Sequence, residues 1–483
     1  MNYRMLTIRT AIILTLLLLF HQPGFSQSLS KHRVIMLTDI ENEPDDTETM
    51  IRLLLYANQI DIRGLIATTS VHMKTKVYPQ SIIRIIEAYR KVQPNLNKHE
   101  PGYPTVESLL KMVKSGKAEY GMNGVGEGKD SEGSEWIIKT LEENDSRPLW
   151  VSVWGGANTL AQALFKLQKT KSAEVVAKLI QKLRVYTISD QDDSGIWIRN
   201  NFPGVFYIVT PGGYSKATWT GIHVFVPGIN NETISNQWLA NNIQQNHGPL
   251  GALYPDVAYG MEGDTPSWLS LIPTGLSDPE HPEWGGWGGR YELNHPKLSD
   301  FDVNGFTGGV PVEPETRPIW TNASDNYKPV IPNPYGRAVK SDTVAFNDNK
   351  VSVWRWRNDF QNDFAARMDW TFKSYKEANH PPIPALGHPD KITLKSGDYF
   401  FLDATGTKDP DGDNLSYLWF QYSEAGSYKQ PVKLALAENI YRTAFTAPAV
   451  DKPETIHFIL KVTDKGTPAL SRYKRVVVQV VPK

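Results

Sequence analysis

No cysteine occurs among the 483 residues of the chain, which excludes disulfide bonds and an anchor attached to an acylated cysteine. Neither sign of charge is in excess, because Lys and Arg total 51, Asp and Glu total 52, and the net charge is -1. That balance argues against a general electrostatic attraction to nucleic acid or to an anionic membrane. The mature protein must therefore be held together by its apolar core, with a bound metal as the one further aid.

Long hydrophobic runs are equally scarce. The run "AIILTLLLLF" (11–20) follows Arg4 and Arg9 and is followed by small residues around Ser26. It is shorter than the roughly twenty apolar residues that span a bilayer, and the pattern is typical of a secretory signal peptide. We therefore predict a signal peptide over residues 1–27, a periplasmic or secreted protein, and no membrane anchor.

The long segment after the signal alternates strand-like and helix-like stretches. The apolar runs "RVIML" (33–37), "IRGLIATTS" (62–70) and "PLWVSVWGG" (148–156) indicate strands, and amphipathic stretches such as "SIIRIIEAYRKV" (81–92) indicate the helices between them. This alternation predicts an α/β fold, with an open, mostly parallel sheet and helices on both faces. We expect this domain over residues 31–379.

The end of the chain changes character. The prolines of "NHPPIPALGHP" favour extended backbone and predict a linker at residues 380–389. Several short alternating runs beyond it predict an all-β sandwich of the immunoglobulin-like type over residues 390–483. Within it, "DPDGDN" (409–414) has acidic spacing like an EF-hand loop, but Phe420 stands where the bidentate Glu belongs. A hairpin turn is therefore the better interpretation of that stretch.

An acidic stretch, "LTDIENEPDD" (37–46), places five carboxylates within ten residues, directly behind the first predicted strand. Ligands of open α/β sheets bind beyond the carboxyl ends of the strands, and repulsion between carboxylates is relieved by a hard cation such as Ca²⁺. The alternative is a helix start, in which Asp45 and Asp46 favour the positive end of the helix dipole, next to a solvated loop. From this stretch alone both interpretations stay open.

The stretch "VIMLTDIENEPDD" resembles the Asp-rich N-terminal signature of nucleoside hydrolases. The first domain is similar to an exported bacterial family described as nucleoside hydrolase-like and known partly as cellulose-binding proteins. The motifs that carry this similarity are "TDIENEPDD", "GLIATTS", "SDQDDSG", "WIRNNFP", "EGDTPSW", "GGWGGRY" and "WRWRNDFQNDFAARMDW". The predicted sandwich is similar to that family as well. The resemblance implies a nucleoside hydrolase-like sheet that binds Ca²⁺ and a sugar.

The resemblance also implies individual roles. Asp39 matches the aspartate that binds Ca²⁺ and acts as general base toward a metal-bound water. Asp46 matches the second aspartate ligand, and Asp45 matches its neighbour that contacts sugar hydroxyls. Asp264 matches the late aspartate that completes the metal site, and Trp154 stands where the enzymes supply a backbone carbonyl ligand.

Two departures from the nucleoside hydrolase pattern bear on the substrate. The acidic loop has two extra residues, Glu43 among them, and Gly263 replaces a histidine that helps the nucleobase leave. The second departure argues against a nucleoside. If the leaving group is an alkoxide it needs an acid, for which Glu262 and His72 are the candidates, although His72 is equally readable as a loop histidine with no proton to give.

Two further segments are candidates for sugar binding. In "SDQDDSGIWIRN" (189–200), Asp193, Arg199 and Asn200 follow another predicted strand, where they either bind sugar hydroxyls or form an ordinary polar loop. In "WGGWGGRY", Trp284 and Trp287 either stack on pyranose rings or belong to the core.

Three functional hypotheses follow from these observations. The first is an exported, Ca²⁺-dependent glycoside hydrolase that cleaves a glycosidic bond of a saccharide through a metal-bound water. The second is a non-catalytic carbohydrate-binding protein with a polysaccharide such as cellulose as its partner. The third, a nucleosidase, is the least favoured because of Gly263. The sequence is compatible with a monomer or an oligomer.

Overall fold

The computed structural model describes residues 30–329, 345–436 and 439–483, which form one compact unit from His32 onward. The predicted signal peptide (1–27) lies outside the described residues. Within the described ranges, no helix combines the length and the apolar character that a membrane crossing requires.

A mostly parallel sheet lies at the centre of the first part of the described chain. Its strands are β1 (Arg33–Thr38), β2 (Asp61–Ala67), β3 (Val113–Ser115), β4 (Leu149–Val153), β5 (Leu183–Thr187), β6 (Phe206–Ile208), β7 (Tyr291–Asn294) and β8 (Ile319–Asn322). The strand order is β3-β2-β1-β4-β5-β6-β8-β7, and the pairing is parallel except between β7 and β8. The open, mostly parallel sheet predicted from the sequence is confirmed.

Both faces of this sheet are covered. Val34 and Met36 of β1 belong to one apolar core, whereas Ile35 and Leu37 belong to another. Since successive strand residues point to opposite faces, the two cores lie on the two sides of the sheet. This explains why β1 reads as a continuous apolar run rather than an alternating one.

Helices supply the other half of each core. Those of the described chain are α1 (Pro44–Leu55), α2 (Pro79–His99), α3 (Val106–Met112), α4 (Glu132–Glu142), α5 (Asn158–Thr170), α6 (Ala173–Lys182), α7 (Ser194–Asn201), α8 (Asn236–Leu239), α9 (Gly248–Gly251), α10 (Pro266–Leu269), α11 (Val351–Trp354) and α12 (Arg357–Asp369). α1 and α2 pack into the same core as Val34, and α4 and α5 pack into the same core as Ile35. Helices therefore lie on both faces, as predicted.

The C-terminal part is all-β. A separate antiparallel pair, β9 (Asp325–Tyr327) and β10 (Phe346–Asp348), precedes the last two helices. The strands beyond them are β11 (Lys391–Lys395), β12 (Tyr399–Asp403), β13 (Ser416–Gln421), β14 (Arg442–Thr446), β15 (Glu454–Thr463) and β16 (Ser471–Val481). They form a four-stranded sheet, β11-β16-β15-β13, and a two-stranded sheet, β12-β14. Trp419, Phe445 and Phe458 lie in the core between them. The predicted sandwich is confirmed.

The sandwich packs directly against the α/β part. The Arg475 side chain donates hydrogen bonds to the carbonyl oxygens of Leu276 and Trp284, at 2.7 and 3.0 Å. Gly275 has a φ of 87°, and a Cβ there would lie 2.1 Å from the Tyr473 carbonyl oxygen. Only glycine permits this approach of the two backbones.

Candidate metal and carbohydrate site

The acidic loop lies at the carboxyl edge of the sheet. Asp39 directly follows β1, and Trp154 directly follows the neighbouring strand β4. Because these strands are parallel, their carboxyl ends meet at one edge. Asp264 reaches the same place from the turn before α10. The structure thus brings together residues separated by more than two hundred positions.

The start of α1 supplies two more carboxylates. Pro44 is the first residue of the helix, a position that suits proline because its fixed φ is already helical. Asp45 and Asp46 lie in the first turn. Asp46 accepts a hydrogen bond from the Thr38 hydroxyl at the end of β1. Strand and helix are therefore linked at the point where the carboxylates converge.

Three of these carboxylates are grouped as metal ligands would be. One ligand atom each from Asp45, Asp46 and Asp264 lies within 4.8 Å of the others. Asp39 is 2% exposed, and its Oδ2, like the Oδ2 of Asp264, is buried without a hydrogen-bond partner in the described chain. No lysine or arginine of the described residues forms an ion pair with any of the four. A hard cation with oxygen ligands fits this donor set.

The pKa values of the four aspartates are raised, because they are buried close together without a cation from the described chain. Burial, the strongest effect, raises the pKa of Asp39 to about 6. Burial together with the charges of Glu43 and Asp39 raises the pKa of Asp45 to about 8. The pKa values of Asp46 and Asp264 are raised well above their usual range by burial and by neighbouring carboxylates. A bound cation would reverse these shifts, because it favours the ionised forms.

The loop after β4 completes this corner of the site. The Trp154 carbonyl oxygen accepts a hydrogen bond from Gln191 Nε2 at 2.6 Å. Its second lone pair can still bind a metal ion. Gly155 lies against Asp39, since a Cβ at this glycine would lie 2.7 Å from Asp39 Oδ1. Any larger residue would displace the carboxylate.

A cavity of about 520 Å³ opens above the carboxylates. Its lining includes five acidic side chains, namely Asp39, Glu43, Asp45, Asp46 and Asp264. It also includes six aromatic or imidazole rings, namely His72, Tyr214, Trp219, His223, Tyr259 and Phe306, which we call the aromatic wall. Carboxylates together with aromatic rings suit a ligand that has both hydroxyls and C–H groups.

The aromatic wall is held by ring contacts. Tyr214 meets Phe306 edge to face at 5.4 Å, and Phe306 stacks on His72 at 5.9 Å. Phe306 is nevertheless 68% exposed. Gly308, at a φ of 66°, allows this loop to approach, since a Cβ there would lie 2.4 Å from Val71 Cγ1.

Trp219 explains the glycine that replaces the nucleoside hydrolase histidine. A Cβ at Gly263 would lie 3.0 Å from the Trp219 ring and 3.0 Å from Asp45 Oδ2. A histidine would press against both neighbours, which would have to move by a few tenths of an ångström, and the ring of Trp219 lies in the adjoining space.

Glu262, a candidate acid, does not line the cavity. It is fully buried, with Arg52 Nε at 2.6 Å and the Tyr254 hydroxyl donating at 2.6 Å. Its backbone N–H donates to Glu48 Oε2 at 2.8 Å, and its φ is 49°. This group of Glu48, Arg52 and Glu262, which we call the clamp, fastens the turn that carries Asp264 to helix α1. The position of Glu262 fits support of the site rather than proton transfer.

The residues expected from "SDQDDSGIWIRN" also lie outside the cavity lining. Arg199 is buried and pairs with Asp190 at 2.8 Å and Glu315 at 2.6 Å. Asp193 accepts a hydrogen bond from the Met122 backbone N–H at 2.8 Å, and Asn200 accepts one from Thr316 at 2.9 Å. Arg199 is therefore engaged by the protein itself, whereas Asp193 and Asn200 are exposed and each makes one contact between loops.

The two tryptophans of "WGGWGGRY" face the sandwich instead of the cavity. Trp287 is fully buried and meets Tyr473 edge to face at 6.4 Å. Trp284 stacks on His281 at 4.1 Å and contacts His457 edge to face at 4.9 Å. Trp287 has no face free for a sugar.

Several residues of the cavity escape sequence reasoning. Gln191 lies in a segment that the sequence singles out for its aspartates, and Trp219 and Phe306 lie in loops without strand or helix periodicity. The one available signal is an aromatic residue within a Gly-, Pro- and Thr-rich loop, which does not distinguish a cavity wall from the core.

The topology, the acidic cluster at the carboxyl edge and the C-terminal sandwich define a nucleoside hydrolase-like protein with an all-β region attached. Residues 33–291 match the family described as cellulose-binding Sde182, nucleoside hydrolase-like domain, and residues 399–480 match the cellulose-binding protein Sde0182, C-terminal domain. The chain belongs to this family.

One solved structure is similar over almost the whole chain. It is that of a nucleoside hydrolase-related hypothetical protein from Saccharophagus degradans, described as associated with carbohydrate metabolism. The two are 34% identical with a TM-score of 0.77, over 94% of this chain and 100% of that chain. The effector protein XOO4466 is 10% identical with a TM-score of 0.33, over 60% of this chain and 87% of that chain, too distant to bear on the site. No match was found among curated proteins.

Proposed function

We propose that the chain is an exported, Ca²⁺-dependent glycoside hydrolase that cleaves a glycosidic bond of a saccharide. The observation that carries the proposal is the grouping of Asp45, Asp46 and Asp264 within 4.8 Å, without a cation from the described chain. The cellulose-binding description of the family supports a saccharide ligand. Export is inferred from the apolar run at residues 11–20.

The residues that would hold Ca²⁺ are Asp46 and Asp264 of this group, together with Asp39, whose buried Oδ2 has no partner in the described chain, and the Trp154 carbonyl. Carboxylate and carbonyl oxygens are the ligands that this ion prefers. When bound, Ca²⁺ supplies positive charge that makes a neighbouring water more acidic and orients sugar hydroxyls.

The protein's own groups have separate tasks in the proposed reaction. The Asp39 carboxylate takes the proton of the attacking water, and Asp45, which is partly exposed, binds sugar hydroxyls. Direct attack by water inverts the anomeric centre. The rings of Tyr214, Trp219 and Phe306 hold the sugar by contact with its C–H groups and exclude water from one side.

The leaving alkoxide needs a proton, and His72 is the proposed donor. It lines the same cavity as the carboxylates, and its ring is held by stacking on Phe306. Burial lowers the pKa of His72, which Glu43 partly offsets. Because a lowered pKa leaves the ring neutral near pH 7, His72 would donate this proton under acidic conditions, and turnover is expected to rise as the pH falls below about 6.5.

A second candidate is a non-catalytic carbohydrate-binding protein that uses the same cavity. The family's cellulose-binding description favours it. A nucleosidase is disfavoured, because Trp219 fills the space at Gly263 where the nucleoside hydrolase histidine would stand.

The test is an assay of the purified mature protein on nucleosides, aryl glycosides and plant oligosaccharides, with Ca²⁺ and with EDTA. We expect Ca²⁺-dependent release of reducing sugar that is lost in Asp39→Asn, whose melting temperature in EDTA equals that of the wild type or exceeds it. The matched control is Glu107→Gln on the exposed side of α3, which should retain full turnover. Polysaccharide binding without turnover would replace the hydrolase by the binding protein.

A further inference from the structure

A second cleft, of about 350 Å³, lies where the α/β part meets the sandwich. It shares no lining residue with the cavity above the carboxylates. Its walls are the turn around residues 241–247, the end of α12 with Phe372, and the sandwich loop at Thr467 and Pro468.

Amide side chains dominate one wall of this cleft. Residues Ala240–Gln244 form a π-helical turn, a rare conformation that occurs frequently at functional sites. Gln244 fixes the turn from behind by donating to the carbonyl oxygens of Tyr254 and Pro255, both at 3.2 Å. In contrast, the exposed side chains of Gln245 and Asn246 make no hydrogen bond to any residue that the structure describes. Their donors and acceptors are directed to solvent.

The charges of the cleft are already balanced. Asp369 pairs with Lys373 at 2.8 Å and lies 3.4 Å from His247 Nε2. Phe372 is 46% exposed, and its ring is held edge to face by His247 at 5.2 Å. What remains for a ligand is therefore a set of neutral amides beside a half-open aromatic ring.

The opposite rim is fixed in place. Asn362 donates to the Ala469 carbonyl oxygen at 3.0 Å, and Asn379 donates to the Pro468 carbonyl oxygen at 2.8 Å. Binding in the cleft would therefore not need to order this loop, which lowers the cost of association.

We propose that this cleft binds a neutral oligosaccharide, as a second carbohydrate site separate from the cavity above the carboxylates. Amides donate to and accept from sugar hydroxyls at once, and aromatic faces pack on the C–H groups of pyranose rings. An anionic ligand would have to compete with Asp369 for Lys373. The inference goes beyond the proposed function, because no residue of the cavity takes part in it.

The test uses the full mature chain, calorimetric titration with cellohexaose, xylohexaose and mannohexaose, and Asp39→Asn as the background with EDTA present. Phe372→Ala removes the ring, and Asn246→Gly removes the amide but keeps a backbone that tolerates the φ of 65°. We expect each to weaken the binding of at least one of the three sugars about tenfold, or about 1.4 kcal/mol, at an unchanged melting temperature.

The matched control is Tyr399→Ala, which removes an aromatic ring that is 61% exposed on the sandwich. It should leave binding unchanged. Binding lost in Tyr399→Ala but kept in Phe372→Ala and Asn246→Gly would overturn the proposal, and so would the absence of binding by all three sugars. Turnover of the wild-type protein is read separately, so failure of the hydrolase proposal is distinguishable from failure of this one.

Discussion

Two groups of buried carboxylates in the described part of the chain have opposite surroundings. At the junction with the sandwich they are matched by cations: Asp363 lies 2.5 Å from Arg472 and 3.2 Å from Arg367, and Asp325 lies 2.7 Å from Arg290. Burial alone would raise the pKa of Asp363, yet Arg472 and Arg367 lower it below its usual range. Asp363 and Asp325 therefore have their charges balanced by neighbouring arginines.

In the cavity the same kind of group is left unmatched. Asp46 and Asp264 are as deeply buried as Asp363, but their pKa values are raised well above the usual range. Since the carboxylates of the junction have arginines beside them and the described residues supply no such partner in the cavity, we expect a cation from outside to balance the charge. This contrast supports a metal site more strongly than the number of aspartates does.

The largest change in unfolding free energy is expected from breaking an ion pair at the junction with the sandwich. Asp363→Asn removes the carboxylate between Arg472 and Arg367, which leaves the buried Arg472 without an ion-pair partner among the described residues, while Arg367 keeps Glu100 at 3.2 Å. Breaking a buried pair in this way costs about 3–5 kcal/mol. Urea unfolding of the variant should show this loss with and without Ca²⁺.

Asp264→Asn should not destabilise the protein in the absence of Ca²⁺, in contrast to Asp363→Asn. In EDTA it removes repulsion among carboxylates, so the variant should unfold at the same urea concentration as the wild type or at a higher one. Ca²⁺ at a hundred times its dissociation constant should stabilise the wild type by about 2.7 kcal/mol and the variant much less. If Asp264→Asn in EDTA lost as much unfolding free energy as Asp363→Asn does, the contrast between the cavity and the junction would be contradicted.

The fold was predictable because its signals are local. The apolar runs at 33–37 and 148–156 become β1 and β4, and the amphipathic stretch at 81–92 lies within α2. Element ends are less well predicted: α2 extends from Pro79 to His99, because tertiary packing prolongs helices beyond their periodic part.

The site residues that could be predicted from the sequence are mainly those that directly follow a strand. Asp39 and Trp154 follow β1 and β4 directly, and parallel strands bring their ends together. Arg199 and Trp287 were expected to bind sugar but are buried by partners distant in sequence, Glu315 and Tyr473. Exposure of a loop residue depends on what packs over it, which a local pattern does not contain.

The junction also predicts a pH response. His457 is buried and accepts a hydrogen bond from Arg475 at 3.1 Å, which requires a neutral ring. Burial, and then Arg475, lower the pKa of His457 to about 3 from 6.5. The unfolded chain therefore binds this proton below about pH 6.5 and the folded chain does not, so stability is complete above that pH and falls as the pH decreases.

The size of this effect follows from the shift. Between about pH 7.5 and pH 5 the histidine should cost about 2 kcal/mol. His457→Gln keeps an oxygen that accepts from Arg475 but cannot titrate. The wild type should therefore lose about 2 kcal/mol of unfolding free energy between about pH 7.5 and pH 5 that the variant does not lose. The difference in unfolding free energy between the two proteins should narrow by that amount. Parallel pH profiles of the two proteins would show that the ring is protonated in the folded state.

The smallest effect is expected at the clamp, which supports the cavity without lining it. Glu48→Ala removes the acceptor of the Glu262 N–H and loosens the turn that carries Asp264, whereas Glu48→Gln keeps an acceptor oxygen. Calorimetry should show Ca²⁺ affinity reduced about tenfold in the Ala variant, or about 1.4 kcal/mol, and largely restored in the Gln variant. Equal affinities in both variants and the wild type would mean that Arg52 and Tyr254, which hold the Glu262 side chain, position the turn without Glu48.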